Sequence, residues 1–219
     1  AVIVKGKGNF GGVYGEELHY KIEAQDLGRL TLTAQDRTYR NKRNSFATKL
    51  TIMDLDGKCL QPGTDYQKVC ACFYTEEPAV DTAGGGKVVR AAGDAVDKDD
   101  IIPARTVLKV RVTAAEGGNY TGTLEGTYRI VQADIASASV SVQKQIYTGQ
   151  PVTLEKNQLT VKVKGKELDD SQYEIVPGSY KNNVHKGTAS VTVRGVNNYG
   201  GTKTVRFTIR PKGFFLWWK

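Results

Sequence analysis

The sequence predicts an all-β fold, a tandem of β-sandwich repeats preceded by a partial hairpin. Three observations point there. Strand formers dominate in Val/Thr/Tyr/Ile-rich alternating runs, separated by turn residues that include 24 glycines, and no long stretch carries apolar residues at i, i+3, i+4 and i+7. At 219 residues the chain is too long for one small sandwich and fits about two domains of roughly 100 residues each. One hairpin pattern also occurs three times, which marks a repeat architecture.

The three copies are Val4-Lys5-Gly6-Lys7-Gly8-Asn9-Phe10-Gly11-Gly12, Val112 to Gly122 (ending Asn119-Tyr120-Thr121-Gly122), and Val193 to Gly201 (ending Asn198-Tyr199-Gly200-Gly201). Each shares a strand end, then Asn, an aromatic, one residue and Gly. Asn and Gly tolerate positive φ at such a turn, and the aromatic can tuck over the open end of the sheets. Second alternating runs follow: His19-Tyr20-Lys21-Ile22, Thr127-Tyr128-Arg129-Ile130 and Val205-Arg206-Phe207-Thr208-Ile209. Their alternate apolar positions face one core.

Taken in order, residues 1–22 read as the terminal hairpin of a preceding or incomplete repeat. A hairpin alone is marginal in water, so it is expected to dock on the next domain, complement another chain or be the remnant of a truncated domain. Residues 23–136 form the first full repeat and 137–211 the second. Arg37-Thr38-Tyr39 aligns with Gln145-Ile146-Tyr147, Leu50-Thr51-Ile52 with Leu159-Thr160-Val161, and Asp65-Tyr66 with Gln172-Tyr173. These tyrosines are read as core and edge packing. The earlier repeat carries about 28 extra residues before its hairpin, a length that loop-closure entropy tolerates.

That insertion, about residues 75–104, holds Gly84-Gly85-Gly86 and the acidic run Asp94 to Asp100. It is expected to be a ligand-specific loop or an extended edge hairpin, with Lys87, Arg90, Asp94, Asp97, Asp99 and Asp100 as candidate ligand-binding residues. The acidic spacing lacks the glycine and distal glutamate of a calcium loop. The apolar tail within 212–219, Phe214-Phe215-Leu216-Trp217-Trp218, is expected to pack against protein; Phe214, Phe215, Trp217 and Trp218 are candidate partner contacts. Chain complementation through 1–22 or 214–218 is a further expectation.

The formal net charge of +8 favours acidic partners such as teichoic acids or sulfated glycans, but the basic residues are spread along alternating strands such as Val161-Lys162-Val163-Lys164, where they read as solvated faces. No dedicated nucleic-acid site is expected. Three cysteines, Cys59, Cys70 and Cys72, do not make a disulfide framework. Cys70 and Cys72 would share one side of a strand, with Cys59 in reach of one of them. Cys-Ala-Cys lacks zinc-ligand spacing, so no metal or cofactor is expected. No secretory signal opens the chain, and no apolar run reaches the roughly 20 residues that cross a bilayer. Because the chain begins in the middle of a strand-like pattern, it is expected to be a piece of something longer.

Tyr147-Thr-Gly-Gln-Pro-Val152, Leu159 to Leu168, Tyr173-Glu-Ile-Val176, Ser179-Tyr-Lys-Asn-Asn183, Gly187 to Gly195 and Asn197-Asn-Tyr-Gly-Gly201 together resemble the bacterial immunoglobulin-like repeats of cell-surface and secreted proteins from gut Firmicutes. The resemblance covers almost all of 137–210, weakens through the inserted repeat and persists only as the last hairpin in 1–22. It implies tandem immunoglobulin-like β-sandwiches in an extracellular array. No catalytic residues come with it.

Catalysis has little to build on. The two histidines, His19 and His185, sit in no catalytic signature, and no nucleophile elbow, metalloprotease helix or phosphate loop is present. The expected function is therefore non-catalytic: adhesion or protein binding to a host or bacterial surface protein or glycan, with a passive spacer or a carbohydrate-binding module as the alternatives.

Overall fold

A computed structural model describes residues 7–9, 21–43, 45–82 and 86–212. Most of the leading hairpin, the central glycines Gly84 and Gly85, and the tail with Phe214, Phe215, Trp217 and Trp218 lie outside the described residues. Among those described, the fold is all-β: short strands joined by turns, with three 3-10 turns at Leu27–Arg29, Lys156–Gln158 and Asp170–Gln172. No helix among the described residues is long and apolar enough to cross a membrane.

Two compact units are assembled from discontinuous segments. The first comprises Ala1–Thr33, Thr51–Cys70 and Arg111–Glu125. Its described core gathers Leu27, Ile52, Leu60, Tyr66 and Val112, all buried. Gln25–Asp26 pairs in parallel with Tyr120–Thr121, and Tyr66 bridges Ala114.

The second unit comprises Ala34–Leu50, Ala71–Val110 and Gly126–Lys219. One four-stranded sheet has the order Arg37–Thr38, Thr123–Val131, Val107–Thr113, Ala71–Tyr74, its middle strands entering this unit at Gly126 and through Val110. Another has the order Gln145–Ile146, Thr202–Arg210, Gly187–Gly195, Tyr173–Ile175. A three-stranded sheet joins Ser139–Val142, Leu159–Val163 and Lys166–Glu167. The alternation read from sequence appears as burial: Tyr128 and Ile130, like Val205, Phe207 and Ile209, point inward while their neighbours face solvent.

The aligned segments make equivalent pairings. Arg37 lies opposite Ile130 in a parallel ladder, as Gln145 lies opposite Ile209. The amide of Tyr39 donates to Val131 and that of Tyr147 to Arg210, both at 2.8 Å. Leu60 N–H donates to Ile52, as Leu168 N–H donates to Val161. The repeat is therefore a repeat of hydrogen bonds as well as of residue types.

Two expectations change on inspection of the strands. The strand near the cysteines begins at Ala71, so buried Cys72 lies on it while half-buried Cys70 immediately precedes it. Cys59 and Cys72 carry free thiols, and Cys70 Sγ lies 3.8 Å from the Gln67 carbonyl oxygen. Lys164, read as an outward strand position, instead sits beyond the strand end at Val163, with φ +50° beside Gly165 at φ +81°. Val163 pairs with Lys166 across this two-residue turn.

Candidate functional site

The insertion folds into a small antiparallel sheet of order Lys87–Val89, Ala79–Thr82, Asp100–Ile101. Val80 pairs with Val88 and Asp81 with both Lys87 and Ile101. Val80 and Ile102 are buried, so the segment carries inward-facing apolar side chains as well as polar edges.

Most of its candidate ligand-binding residues are engaged within the chain. Asp100 is fully buried; its carboxylate accepts from Arg90 Nη2 at 2.6 Å, Arg90 Nε at 3.0 Å and the Tyr74 hydroxyl at 2.8 Å. This bidentate fork is the geometry that makes a buried carboxylate tolerable. Its effects are visible at the neighbours: burial, then the Asp100 hydrogen bond, pushes the Tyr74 hydroxyl pKa well above its ordinary range, and the same carboxylate raises that of Arg90. Asp94 caps the turn by accepting from Ala91 N–H at 2.9 Å, and Asp97 accepts from Asp99 N–H at 2.8 Å. Asp99 pairs with Arg43 at 3.2 Å on the surface. No group of three metal-ligating side chains occurs among the described residues.

Lys87 is placed differently. It lines a hollow of about 260 Å³ together with Asp81, Asp169, Asn198, Tyr39 and Tyr199. Asp169 is held below its usual carboxylate range, first by its hydrogen bond from Ser171 N–H and then by the charges of Lys156 and Lys87.

Tyr39 and Tyr199 form the wall of this hollow. Their rings meet edge to face at 5.5 Å, and both are nearly buried, at 6% and 5% exposure. Burial, helped by Tyr199 and Asp81, raises the Tyr39 pKa far beyond the accessible range, so the pair is an uncharged polar wall at any neutral pH. On its other side lies a larger open groove of about 660 Å³, sharing Tyr39, Asn41 and Tyr199 and rimmed by Arg40, Lys42, Lys164 and Lys166. Sequence reading missed this groove because its cations come from two segments far apart in the chain, Arg40 and Lys42 on one side and Lys164 and Lys166 on the other, and the latter from a turn taken for a strand. The lysine ahead of Gly165, in a slot favouring Asn or Gly, is the local signal that was available.

The same wall is held by a backbone clasp. Ala133–Asp134 pairs in parallel with Tyr199–Gly200 of the terminal hairpin. Ala133 N–H donates to Asn198 O and Ile135 N–H to Gly200 O, both at 3.0 Å. Gln132 Nε2 donates to Asn197 O and Tyr199 O at 2.9 Å each, and Asn198 Oδ1 accepts from Ala104 N–H at 2.8 Å. The asparagine and aromatic of the hairpin motif, read as turn and lid, thus also receive a strand.

The first unit contains the same device. Gln25 N–H donates to Asn119 O at 2.9 Å, and Gln25–Asp26 runs parallel to Tyr120–Thr121. The sequence had a matching signal not used above: His19-Tyr-Lys-Ile-Glu-Ala-Gln-Asp-Leu27 lines up with Thr127-Tyr-Arg-Ile-Val-Gln-Ala-Asp-Ile135.

No protein-family model matches this chain, and no curated protein matches it. Among solved structures, the crystal structure of the S-layer protein rSbsC(31-844) is similar at 15% sequence identity and a TM-score of 0.30, over 96% of this chain and 31% of that one. The chain thus spans under a third of the length of that S-layer structure.

Proposed function

We propose that this chain is a non-catalytic segment of an extracellular repeat array in a bacterial surface or secreted protein, serving to hold other parts of that protein in place. The observation that carries this reading is the clasp made twice. In each case the segment leading into a repeat, Gln25–Asp26 or Ala133–Asp134, is zipped onto that repeat's own terminal hairpin. A linker that forms backbone hydrogen bonds is fixed in direction, whereas a linker between independent beads leaves its amides to water. The extracellular setting rests on the resemblance of residues 137–210 to bacterial immunoglobulin-like repeats, and so does the sandwich architecture of each repeat.

Amide hydrogen exchange tests it. Ala133, Ile135 and Gln25 are expected to exchange as slowly as strand amides such as Val191 and Val205. Exchange at the rate of an open linker would overturn the spacer reading.

A second reading, adhesion, is favoured by the groove beside Tyr39 and Tyr199 and by the three-stranded sheet within the insertion. Replacing residues 75–104 with a short turn and screening both forms against arrayed glycans and host secretory proteins separates the readings. Binding lost with the insertion supports adhesion, and silence from both forms supports the spacer.

A further inference from the structure

We propose that the groove of about 660 Å³ rimmed by Arg40, Lys42, Lys164 and Lys166 binds an anionic polysaccharide, an activity that goes beyond the spacer reading. Its volume lies in the range of small-ligand sites, roughly 300–1,000 Å³. Four cationic side chains face one carboxylate, Asp134, whose Oδ1 is already taken by Ala136 N–H at 2.8 Å. Lys166 Nζ donates to Asn41 O at 3.1 Å, which holds that ammonium at the rim with N–H groups to spare. No ion-pair partner occurs for Arg40, Lys42 or Lys164 among the described residues, and all three are exposed. Some other cations of the chain are held by carboxylates instead, as in Arg90–Asp100, Arg194–Glu174, Arg43–Asp99 and Lys162–Glu167.

The placing of Lys164 strengthens the case. At φ +50° it occupies a backbone region that Asn or Gly fills at lower cost, so the turn gives up stability to carry an ammonium at the groove mouth. The choice of polysaccharide over nucleic acid follows from the wall. Tyr39 and Tyr199 are packed edge to face and buried, so neither offers the open ring on which unpaired bases stack. What the groove does offer is spaced cations with hydroxyl and amide groups from Ser137 and Asn41, the complement of a chain bearing sulfates or carboxylates among hydroxyls.

The test measures binding of a size-defined heparin oligosaccharide by the intact chain at two salt concentrations, against single-stranded DNA of equal charge. The variant Lys42→Glu/Lys164→Glu is expected to weaken heparin binding at least tenfold and to flatten its salt dependence. Lys164→Asn keeps a residue suited to positive φ while removing the charge, so its smaller loss, about threefold, cannot be blamed on misfolding. The control Lys58→Glu/Lys68→Glu removes the same net charge outside the groove and is expected to change affinity less than twofold. Equal losses from groove and control variants, or DNA binding as tight as heparin and equally dependent on Lys42 and Lys164, would overturn the proposal. The amide exchange of Ala133 and Ile135 is read separately, so failure here leaves the spacer reading standing.

Discussion

The two clasps share a register but differ in how they are reinforced. In both, a strand carrying Asp meets the residues after the hairpin asparagine, and in both that Asp turns back on its own chain: Asp26 accepts from Gly28 N–H at 2.9 Å and Asp134 from Ala136 N–H at 2.8 Å. Both seat beside a glycine in the left-handed region, Gly122 at φ +78° and Gly201 at φ +75°. Around Tyr199 the hydrogen bonds of Gln132, the Ala104–Asn198 contact and the Tyr39 ring are added, and the tyrosine is buried. Tyr120 is half-buried, and its hydroxyl lies 3.5 Å from Asp54 Oδ2. One motif has therefore been set once in a buried, hydrogen-bonded frame and once in an acidic, wetter one.

The largest test of that difference is to remove each aromatic. Tyr199→Ala is expected to cost about 3–5 kcal/mol, the range for deleting a buried aromatic. Tyr120→Ala, starting half-exposed, is expected to cost about 1 kcal/mol, in keeping with partial burial of its side chain. Urea unfolding followed by circular dichroism measures both. Equal costs would mean that the extra contacts around Tyr199 add nothing.

A smaller effect is expected at the glycines. A Cβ on Gly201 would overlap Asp134 Oδ1, and one on Gly122 would stand 2.8 Å from Asp26 Oδ1. The aspartate can swing away, but then its hydrogen bond is lost, about 1 kcal/mol, on top of roughly 1–2 kcal/mol for forcing an L-residue left-handed. Gly201→Ala should cost about 2–3 kcal/mol and Gly122→Ala somewhat less. Adding Asp134→Ala to Gly201→Ala removes the clashing atom, so the double variant should cost less than the two single changes added together. Strict additivity would show that the close approach does not govern that corner.

What sequence made legible was what depends on period and on turn chemistry. Alternation in Thr127 to Ile130 and Val205 to Ile209 shows the buried face directly, because strand side chains alternate whatever the topology. Paired tyrosines and hairpin asparagines exposed the repeat. The candidate site was less legible, since charge in a sequence does not say where the counter-charge lies. Arg90 and Asp100 are ten positions apart and looked free, yet they bond to each other. Lys164 read as a solvated strand position, and only the fold sets it with Lys42 on one groove. The compact units are similarly made of discontinuous segments, an arrangement that a boundary drawn along the sequence does not express.

The smallest effect separates the two tyrosines by the cause of their pKa shifts. Both hydroxyls are raised above 10.0: Tyr199 by burial, Tyr120 by burial and then by the charges of Asp54 and Asp65, with Asp56 adding less. A raised folded pKa means that the folded state holds its proton more tightly. The resulting stability is complete below about pH 10 and is lost as pH climbs through the folded value. Salt acts on one cause only, because the screening length falls from about 10 Å at 0.1 M to about 3 Å at 1 M while burial is unchanged. Tyrosinate absorbance, taken as the difference between the parent chain and each Tyr→Phe variant, isolates the two groups. In 1 M salt the Tyr120 midpoint is expected to move down toward the ordinary value and the Tyr199 midpoint to stay. If both stay, the carboxylates near Tyr120 do not act on it, and the contrast between an acidic clasp and a buried one reduces to a difference in burial.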